Sequence, residues 1–178
     1  MHLSVGQKVA YPNQGVCLVE DVEERTVGET SMNGYSLRVL GDNSTIFVPE
    51  ENAESVGIRP LISLSQCRKL IEKLGEDFEP VLTDWKTRSR EFTEKLRTGD
   101  VFKAAEVLKV LTFLSHEKKL SFREQTLLEK AKFLIISEIT NAYPRPQKRV
   151  ETEIVNLVEA ACSRQHFAQA KVMSAAVH

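Results

Sequence analysis

The alternation of apolar and polar residues divides the chain into two parts. Along the first 50 residues the apolar positions recur with a period of two, which is typical of strands that bury one face. Clusters of Gly, Asn and Pro separate these runs, since Gly and Asn adopt positive φ at low cost. The pattern predicts about five short strands in a small, strongly curved sheet of the SH3 or Tudor type. The strands are predicted over 5–11, 16–22, 24–27, 35–40 and 44–49, with turns at 12–15, 28–34 and 41–43.

After Asn52 the apolar positions take up helical spacing. This spacing predicts five helices, over 61–74, 85–97, from 101 onwards, from 122 to the Tyr143-Pro144 break, and over 149–161. Polar side chains able to accept from free backbone N–H groups stand before the first four helices. These N-cap candidates are Ser63 or Ser65, Thr83 or Asp84, Asp100, and Ser121 in a capping box with Glu124.

Together the two periods predict an α+β chain with two domains. We expect the small SH3/Tudor-like curved β-sheet over 1–55 and an all-α bundle of about five helices over 61–163. A sheet of this size is marginally stable alone, so it gains from packing against the helices. The tail at 164–178 has no strong cap and is expected to fray.

The net charge of −1 conceals an asymmetry between the two parts. Residues 1–60 hold four basic against nine acidic residues, a net of −5, and the remaining 20 basic against 16 acidic residues give a net of +4. Two surfaces with different partners are therefore expected, the basic one facing phosphate groups.

Residues suited to catalysis or metal binding are present but form no recognised constellation. There is no phosphate-cradling glycine loop and no nucleophile elbow. The odd number and wide spacing of the cysteines predict reduced thiols in or near a core, without a disulfide framework. The sequence predicts no enzyme, no cofactor, no metal site and, since no apolar run reaches about 20 residues, no membrane contact. The residues considered are Cys17, Cys67, Cys162, His2, His116, His166 and His178.

The predicted second helix, at 85–97, carries the pattern that points to nucleic acid. Lys86, Arg90, Thr93 and Arg97 share one face at spacings of three and four residues. A basic stripe of this kind can follow a phosphate backbone, with Arg88 and Lys95 adding charge on its flanks. Trp85, at the start of the helix, is placed to stack on a base or to wedge into a disturbed step.

The same helix admits a purely structural interpretation. Trp85 also shares a face with Ser89, Phe92 and Leu96, so it is equally placed to be the first core residue of the helix. A basic stripe is also compatible with an ordinary solvated face. Periodicity alone leaves both alternatives open.

Four segments together resemble the CarD family of bacterial RNA polymerase-binding regulators, in particular its stand-alone, CdnL-like branch. The resemblance covers roughly residues 3–140, and the N-terminal part is also similar to the polymerase-interacting domain of transcription–repair coupling factors. The segments are Gly6-Gln7-Lys8-Val9-Ala10-Tyr11-Pro12 with Gln14-Gly15, Val48 through Arg59, Trp85 through Leu96 with Gly99-Asp100-Val101, and Leu120-Ser121 with Glu124.

The resemblance implies that the Tudor-like domain binds the β subunit of RNA polymerase. It further implies that the helical domain lies on promoter DNA at the upstream edge of the transcription bubble and stabilises the open complex. The family's wedging tryptophan, which inserts at the minor groove, matches Trp85, and its basic neighbours match Arg88 and Arg90, with Lys86 and Arg97 as local additions. On the polymerase face Arg25 matches a basic position of the family and Val27 an apolar one beside it, and Phe47 is the third residue expected there.

Two positions depart from the pattern of the family. Phe47 stands where relatives carry a basic residue, so the polymerase contact is expected to be partly rebuilt around an aromatic ring. Thr87 replaces a residue that is basic in some relatives, which lowers the expected number of DNA contacts.

We therefore predict a bacterial, cytoplasmic, nucleoid-associated and monomeric transcription regulator. The phosphate contacts are expected to position the protein on DNA with little sequence specificity. One alternative is a polymerase-bound adaptor that acts through protein contacts, in which case Trp85 would be buried. Another is a free-standing peptide- or RNA-binding Tudor-like module with an aromatic cage drawn from Tyr11, Tyr35 and Phe47.

Overall fold

The chain forms a five-stranded antiparallel sheet followed by five helices in a computed structural model that describes residues 1–79 and 84–177. The predicted fold class, α+β with a small sheet before a helical bundle, is thereby confirmed. The strand order across the sheet is β4-β3-β2-β1-β5. The strands are β1 Lys8–Tyr11, β2 Gly15–Val27, β3 Thr30–Val39, β4 Thr45–Pro49 and β5 Arg59–Pro60.

The strand boundaries differ from the prediction around the β2–β3 hairpin. The expected strands at 16–22 and 24–27 are one strand, and the expected turn at 28–34 shrinks to the two residues 28–29. A register shift between Val19 and Asp21 moves side chains to the other face, so the alternation breaks while the strand continues. Gly28, with φ +67°, occupies the first turn position, as a two-residue hairpin loop favours.

The fifth strand was also not predicted from the sequence. Arg59 and Pro60 pair with Ala10 and Val9 of β1 and close the edge of the sheet next to the helices. Two residues are too few to display a period, so only the tertiary pairing defines this strand.

The helices begin where local capping predicts. Asp84, Asp100 and Ser121 each accept from backbone N–H groups of the following turn, and of the two serine candidates Ser63 is the cap. Thr83, the other candidate for the second helix, lies outside the described residues. The helices are α1 Leu64–Gly75, α2 Trp85–Arg97, α3 Val101–Glu117, α4 Phe122–Ala142 and α5 Gln147–Ala176.

The last helix is longer than the predicted 149–161. Residues 164–176 continue α5, and most of their side chains are exposed. Two residues fasten the first turn of this extension to the bundle. Arg164 lies 2.7 Å from Asp77, and His166 lies 3.0 Å from Glu117 and stacks on the ring of Phe113. Within the described part of the chain, no helix is long and apolar enough to cross a membrane.

The buried apolar residues form two clusters, one in the sheet and one among the helices. Tyr35 and Leu37 are fully buried in the sheet cluster, and Leu70 and Ile135 in the helical cluster. The three cysteines are buried, as predicted. The predicted domain boundaries at 1–55 and 61–163 stay a prediction, although the sheet cluster ends at Ile58 and the helical one begins at Ile62.

A buried lysine closes the C-terminal end of α1. The Lys109 Nζ donates to the carbonyl oxygens of Lys73 and Glu76, each at 2.6 Å, and lies 5.0 Å from the ring centroid of Phe78. Burial lowers the pKa of Lys109. The last carbonyls of a helix have no partner within it, so this amine supplies one from α3 and fixes the segment that leads towards α2.

We expect Lys109→Met to lower the free energy of unfolding by about 1–3 kcal/mol, because it preserves the apolar stem and leaves two carbonyl oxygens without their donor. Urea unfolding measures this loss. Lys103→Met, at an exposed position of the same helix, is the matched control and should change the stability little. Equal stability of the two variants would contradict the capping role of Lys109.

Candidate functional site

The start of α2 is held by a compact hydrogen-bonded cap. The Asp84 carboxylate accepts from the backbone N–H groups of Lys86 and Thr87 at 2.9 and 3.1 Å, and from the Thr87 hydroxyl at 2.6 Å. The Thr87 hydroxyl and N–H, followed by the Lys86 N–H, hold the pKa of Asp84 below its usual range. Thr87 thus helps to fix the first turn of α2.

Trp85 is exposed although the period of the helix also fits a buried position. Ser89, Phe92 and Leu96 of the same stripe are buried, whereas Trp85 is 56% exposed. This face of α2 is therefore buried only from the second turn of the helix onwards. The indole stands at the solvent-facing end of the helix, where it is available to a partner.

The predicted basic residues of α2 separate into two environments. Lys86, Arg90 and Arg97 are exposed, and Arg97 forms an ion pair of 3.2 Å with Glu94 on its own helix. Arg88 is 8% exposed, and its guanidinium donates to a carboxylate of α4. Arg88 therefore braces α2 from inside, whereas Lys86, Arg90 and Arg97 present their charge to solvent.

The carboxylate that receives Arg88 is Glu124, and it joins three helices. The Arg88 Nη2 lies 3.1 Å from the Glu124 Oε1, and the Lys118 Nζ at the end of α3 lies 3.0 and 2.9 Å from the two Glu124 oxygens. Glu124 also completes the predicted capping box by accepting from the backbone N–H of Ser121 at 2.9 Å. Burial favours the neutral acid, but these donors outweigh it and lower the pKa of Glu124 from 4.5 to about 2.

The Arg88–Glu124 contact brings a second aromatic side chain to the same end of the bundle. Phe122, two residues before Glu124, is 86% exposed, and Arg123 beside it is also exposed. This segment was predicted only as a capping box, and neither Phe122 nor Arg123 was predicted as a site residue. The signal was an aromatic residue at the first helical position, off the buried stripe of α4. We call Trp85, Lys86, Arg90, Phe122 and Arg123 the Trp85 surface.

On the sheet, the three residues predicted to face the polymerase lie near the β2–β3 hairpin. The Arg25 guanidinium carbon lies 4.3 Å from the ring centroid of Phe47, a cation–π distance, and its nitrogens donate to the Glu23 carboxylate at 2.9 and 2.6 Å. Val27, two residues further along β2, is 64% exposed. We call Arg25, Val27 and Phe47 the Arg25 surface.

Gly34 provides the space for the Phe47 ring. A Cβ built at Gly34 would lie 2.5 Å from the Phe47 Cζ and 2.6 Å from the carbonyl oxygen of Val48, closer than atoms can approach. The ring therefore lies flat over the backbone of β3 and presents a face on which Arg25 rests. Phe47 thus orients the neighbouring Arg25.

Residues that hold metal ions do not come together in the described ranges: no group of three or more His, Cys, Asp or Glu side chains has the arrangement of a metal site there. The geometry instead offers two exposed surfaces, one on the sheet and one on the helices.

The comparisons with known proteins assign both parts of the chain. The family model described as CarD-like/TRCF RID domain matches residues 3–62, and the model described as CarD, C-terminal domain matches residues 69–155. The fold and the two matches define a transcription regulator with a sheet module followed by a helical domain. The chain belongs to the CarD family.

Two relatives illustrate the similarity. The chain is 28% identical over 135 residues to the putative transcription factor YdeB of Bacillus subtilis (strain 168). The aligned residues cover 76% of this chain and 88% of that protein. It is 34% identical to the solution NMR structure of the 72-residue N-terminal domain of Myxococcus xanthus CarD, over 33% of this chain and 79% of that one, with a TM-score of 0.29.

We expect Glu124→Gln to destabilise the protein by up to about 3 kcal/mol at pH 7, since the folded state lowers the pKa of this carboxyl from 4.5 to about 2. A lowered pKa stabilises the fold above the unfolded value of 4.5, and this contribution is lost as the pH falls towards 2. The stability difference between wild type and variant should therefore shrink to about half by pH 3.

Chemical denaturation at pH 7, 5, 4 and 3 measures this difference. Glu129→Gln is the matched control, because Glu129 lies on the same helix with its side chain 70% exposed. A stability difference between wild type and Glu124→Gln that stays constant down to pH 3 would show that the ion pairs of Glu124 do not stabilise the contact between α2, α3 and α4.

Proposed function

We propose that the protein binds the β subunit of RNA polymerase through the Arg25 surface and stabilises the promoter open complex through the Trp85 surface. In this proposal the Trp85 surface contacts DNA at the upstream edge of the transcription bubble. The observation that carries the proposal is the exposed indole of Trp85 among exposed basic side chains at the capped start of α2.

The chemistry of the Trp85 surface supports a wedge. An indole inserted at a disturbed base step must offset a few kcal/mol of unstacking. That cost is smaller where the polymerase has already separated the strands, and base–aromatic stacking contributes about 1–3 kcal/mol. An indole that needs no rearrangement to reach solvent is suited to this task, and the exposed ring of Phe122 is a second apolar group, on the helix that holds α2 through Arg88 and Glu124.

The exposed basic side chains support binding to the DNA backbone. Lys86 and Arg90 lie one and five residues after Trp85 on α2, and Arg97 stands at the far end of the helix, about 18 Å away at 1.5 Å per residue. Contacts to phosphates fix the position of a protein without reading sequence. In this proposal Arg88 is buried against Glu124 and holds α2 in place, and its exposed neighbours contact the phosphates.

The sheet module supports the polymerase contact. It matches a module shared with transcription–repair coupling factors, and Arg25, Val27 and Phe47 give it a charged and an apolar group side by side. Attachment to the polymerase raises the effective concentration of the helical domain at the bubble, so weak DNA affinity is sufficient there.

Two features count against the alternatives. The adaptor hypothesis expects a buried Trp85, whereas 56% of this residue is exposed. The free-standing Tudor-like module needs an aromatic cage, whereas Tyr35 is fully buried and its hydroxyl donates to the Glu50 carboxylate at 3.1 Å.

We expect Trp85→Ala to shorten the open-complex lifetime about 5- to 100-fold relative to wild type, because the alanine loses the stacking energy of the indole. The measurement uses the cognate polymerase on a promoter with an unstable bubble. Binding of the variant to polymerase should be unchanged, since Trp85 lies outside the Arg25 surface.

Phe167→Ala is the control for this experiment, because it removes another aromatic residue, 72% exposed, from the C-terminal half of α5, outside the Trp85 surface. If wild type and Trp85→Ala both bind polymerase and neither alters the lifetime, the wedge is wrong and the adaptor hypothesis takes its place.

We expect Arg25→Glu to weaken binding to the polymerase β subunit tenfold or more, because it reverses a charge and removes the cation–π contact with Phe47. Affinity for free DNA should stay unchanged. Arg68→Glu, a reversal at an exposed position of α1, is the matched control. Wild-type affinity of Arg25→Glu for the β subunit would remove the Arg25 surface from the proposal.

A further inference from the structure

Helix α4 makes contact with both of the proposed binding regions. Near its start, Glu124 holds Arg88 and with it the first turn of α2. Fourteen residues later, about 21 Å along the helix, Glu138 faces the edge of the sheet. A 14-residue separation returns to nearly the same side of a helix, so a single side of α4 holds the sheet at one end and the Trp85 surface at the other.

The contact with the sheet is a two-pronged ion pair between the partly exposed Arg59, whose side chain is 31% exposed, and the buried Glu138. The Arg59 Nη1 lies 2.5 Å from the Glu138 Oε1, and the Arg59 Nη2 lies 2.8 Å from the Glu138 Oε2. The Glu138 Oε1 also accepts from the backbone N–H of Ile62 at 3.0 Å, and the Arg59 Nη2 donates to the Gly99 carbonyl at 2.7 Å. Glu138 is 4% exposed. These contacts join the sheet edge, α4 and the α2–α3 turn at one point.

The other described contacts between α4 and the sheet constrain the orientation less. The Phe133 ring lies against Gly15 and Gly41, where an added Cβ would approach it to 3.0 and 2.7 Å. Apolar packing of this kind is non-directional and tolerates rotation about the contact. The Lys8–Asn141 hydrogen bond of 2.9 Å is exposed to solvent. The guanidinium–carboxylate pair differs from these contacts, because its carboxylate is buried and two parallel hydrogen bonds fix it in plane.

We propose that Arg59 and Glu138 are positioning residues that fix the orientation of the Trp85 surface relative to the Arg25 surface. This inference rests on the proposed function for its consequence: both surfaces must be engaged at once, so an error in their relative orientation removes the effect on DNA while each surface still binds separately. The orientation itself can be measured without polymerase or DNA.

The structural experiment is the measurement of residual dipolar couplings on the full chain by NMR. In wild type, couplings from the sheet and from the helices should fit one alignment tensor. Glu138→Gln replaces one acceptor oxygen with an NH₂ group that faces an Arg59 donor, so the two parts should still fit well separately and require two different tensors. A well-dispersed spectrum establishes that each part is folded.

Two further variants make this test specific. Arg59→Lys keeps the positive charge but loses the fork that reaches both carboxylate oxygens and Gly99, so it should also require two tensors. Glu106→Gln is the matched control, because Glu106 pairs with Lys73 and Lys95 inside the helical part only. The control should retain the single tensor, and a single tensor for Glu138→Gln and Arg59→Lys would overturn the inference.

The functional arm compares open-complex lifetimes for the same proteins. Glu138→Gln should shorten the lifetime at least fivefold relative to wild type while its affinities for the β subunit and for free DNA stay within twofold. A wild-type lifetime in a variant that needs two tensors would overturn the positioning role. If wild type itself leaves the lifetime unchanged, the proposed function fails, and the couplings still decide whether the pair fixes the orientation.

Discussion

The carboxylate of Glu138 is buried between the sheet and α4, where a charge without partners would be strongly unfavourable. It is tolerated because Arg59 and the N–H of Ile62 satisfy its oxygens from the sheet side. These donors reach the Glu138 carboxylate only when β5 pairs with β1 and α4 lies across the sheet edge. The requirement to satisfy one buried carboxylate therefore couples the closing of the sheet to the placement of the helices.

A second carboxylate of α4, Glu124, meets the same requirement at the other end of the helix. Its partners Arg88 and Lys118 belong to α2 and α3, so satisfying it aligns the starts of α2 and α4. The apolar core fills the space between these helices but is non-directional. The two ion pairs add direction, and the exposed aromatic residues owe their shared location to them.

The helical part was predictable because its signals are local. Asp84, Asp100 and Ser121 begin helices where the sequence places them, since a cap involves only the next three residues. The strand β5 and the continuous β2 depend on pairing with distant residues, and their bounds were missed. At the site, the position of Trp85 at the start of α2 was predictable. Its exposure and the burial of Arg88 depend on where α4 lies, and the spacing of residues along α2 carries no information on that.

The separation of charge between the two parts gives the molecule an electrical polarity. The first 60 residues, which form the sheet, carry a net of −5, and the remainder, mostly helical, a net of +4. A polyanion such as DNA repels one end and attracts the other, and the resulting torque turns the protein before any atom touches. Because salt screens the field beyond about 8 Å, this alignment operates only during the last nanometre of approach. The fold therefore favours encounters in which the helical part meets a polyanion first.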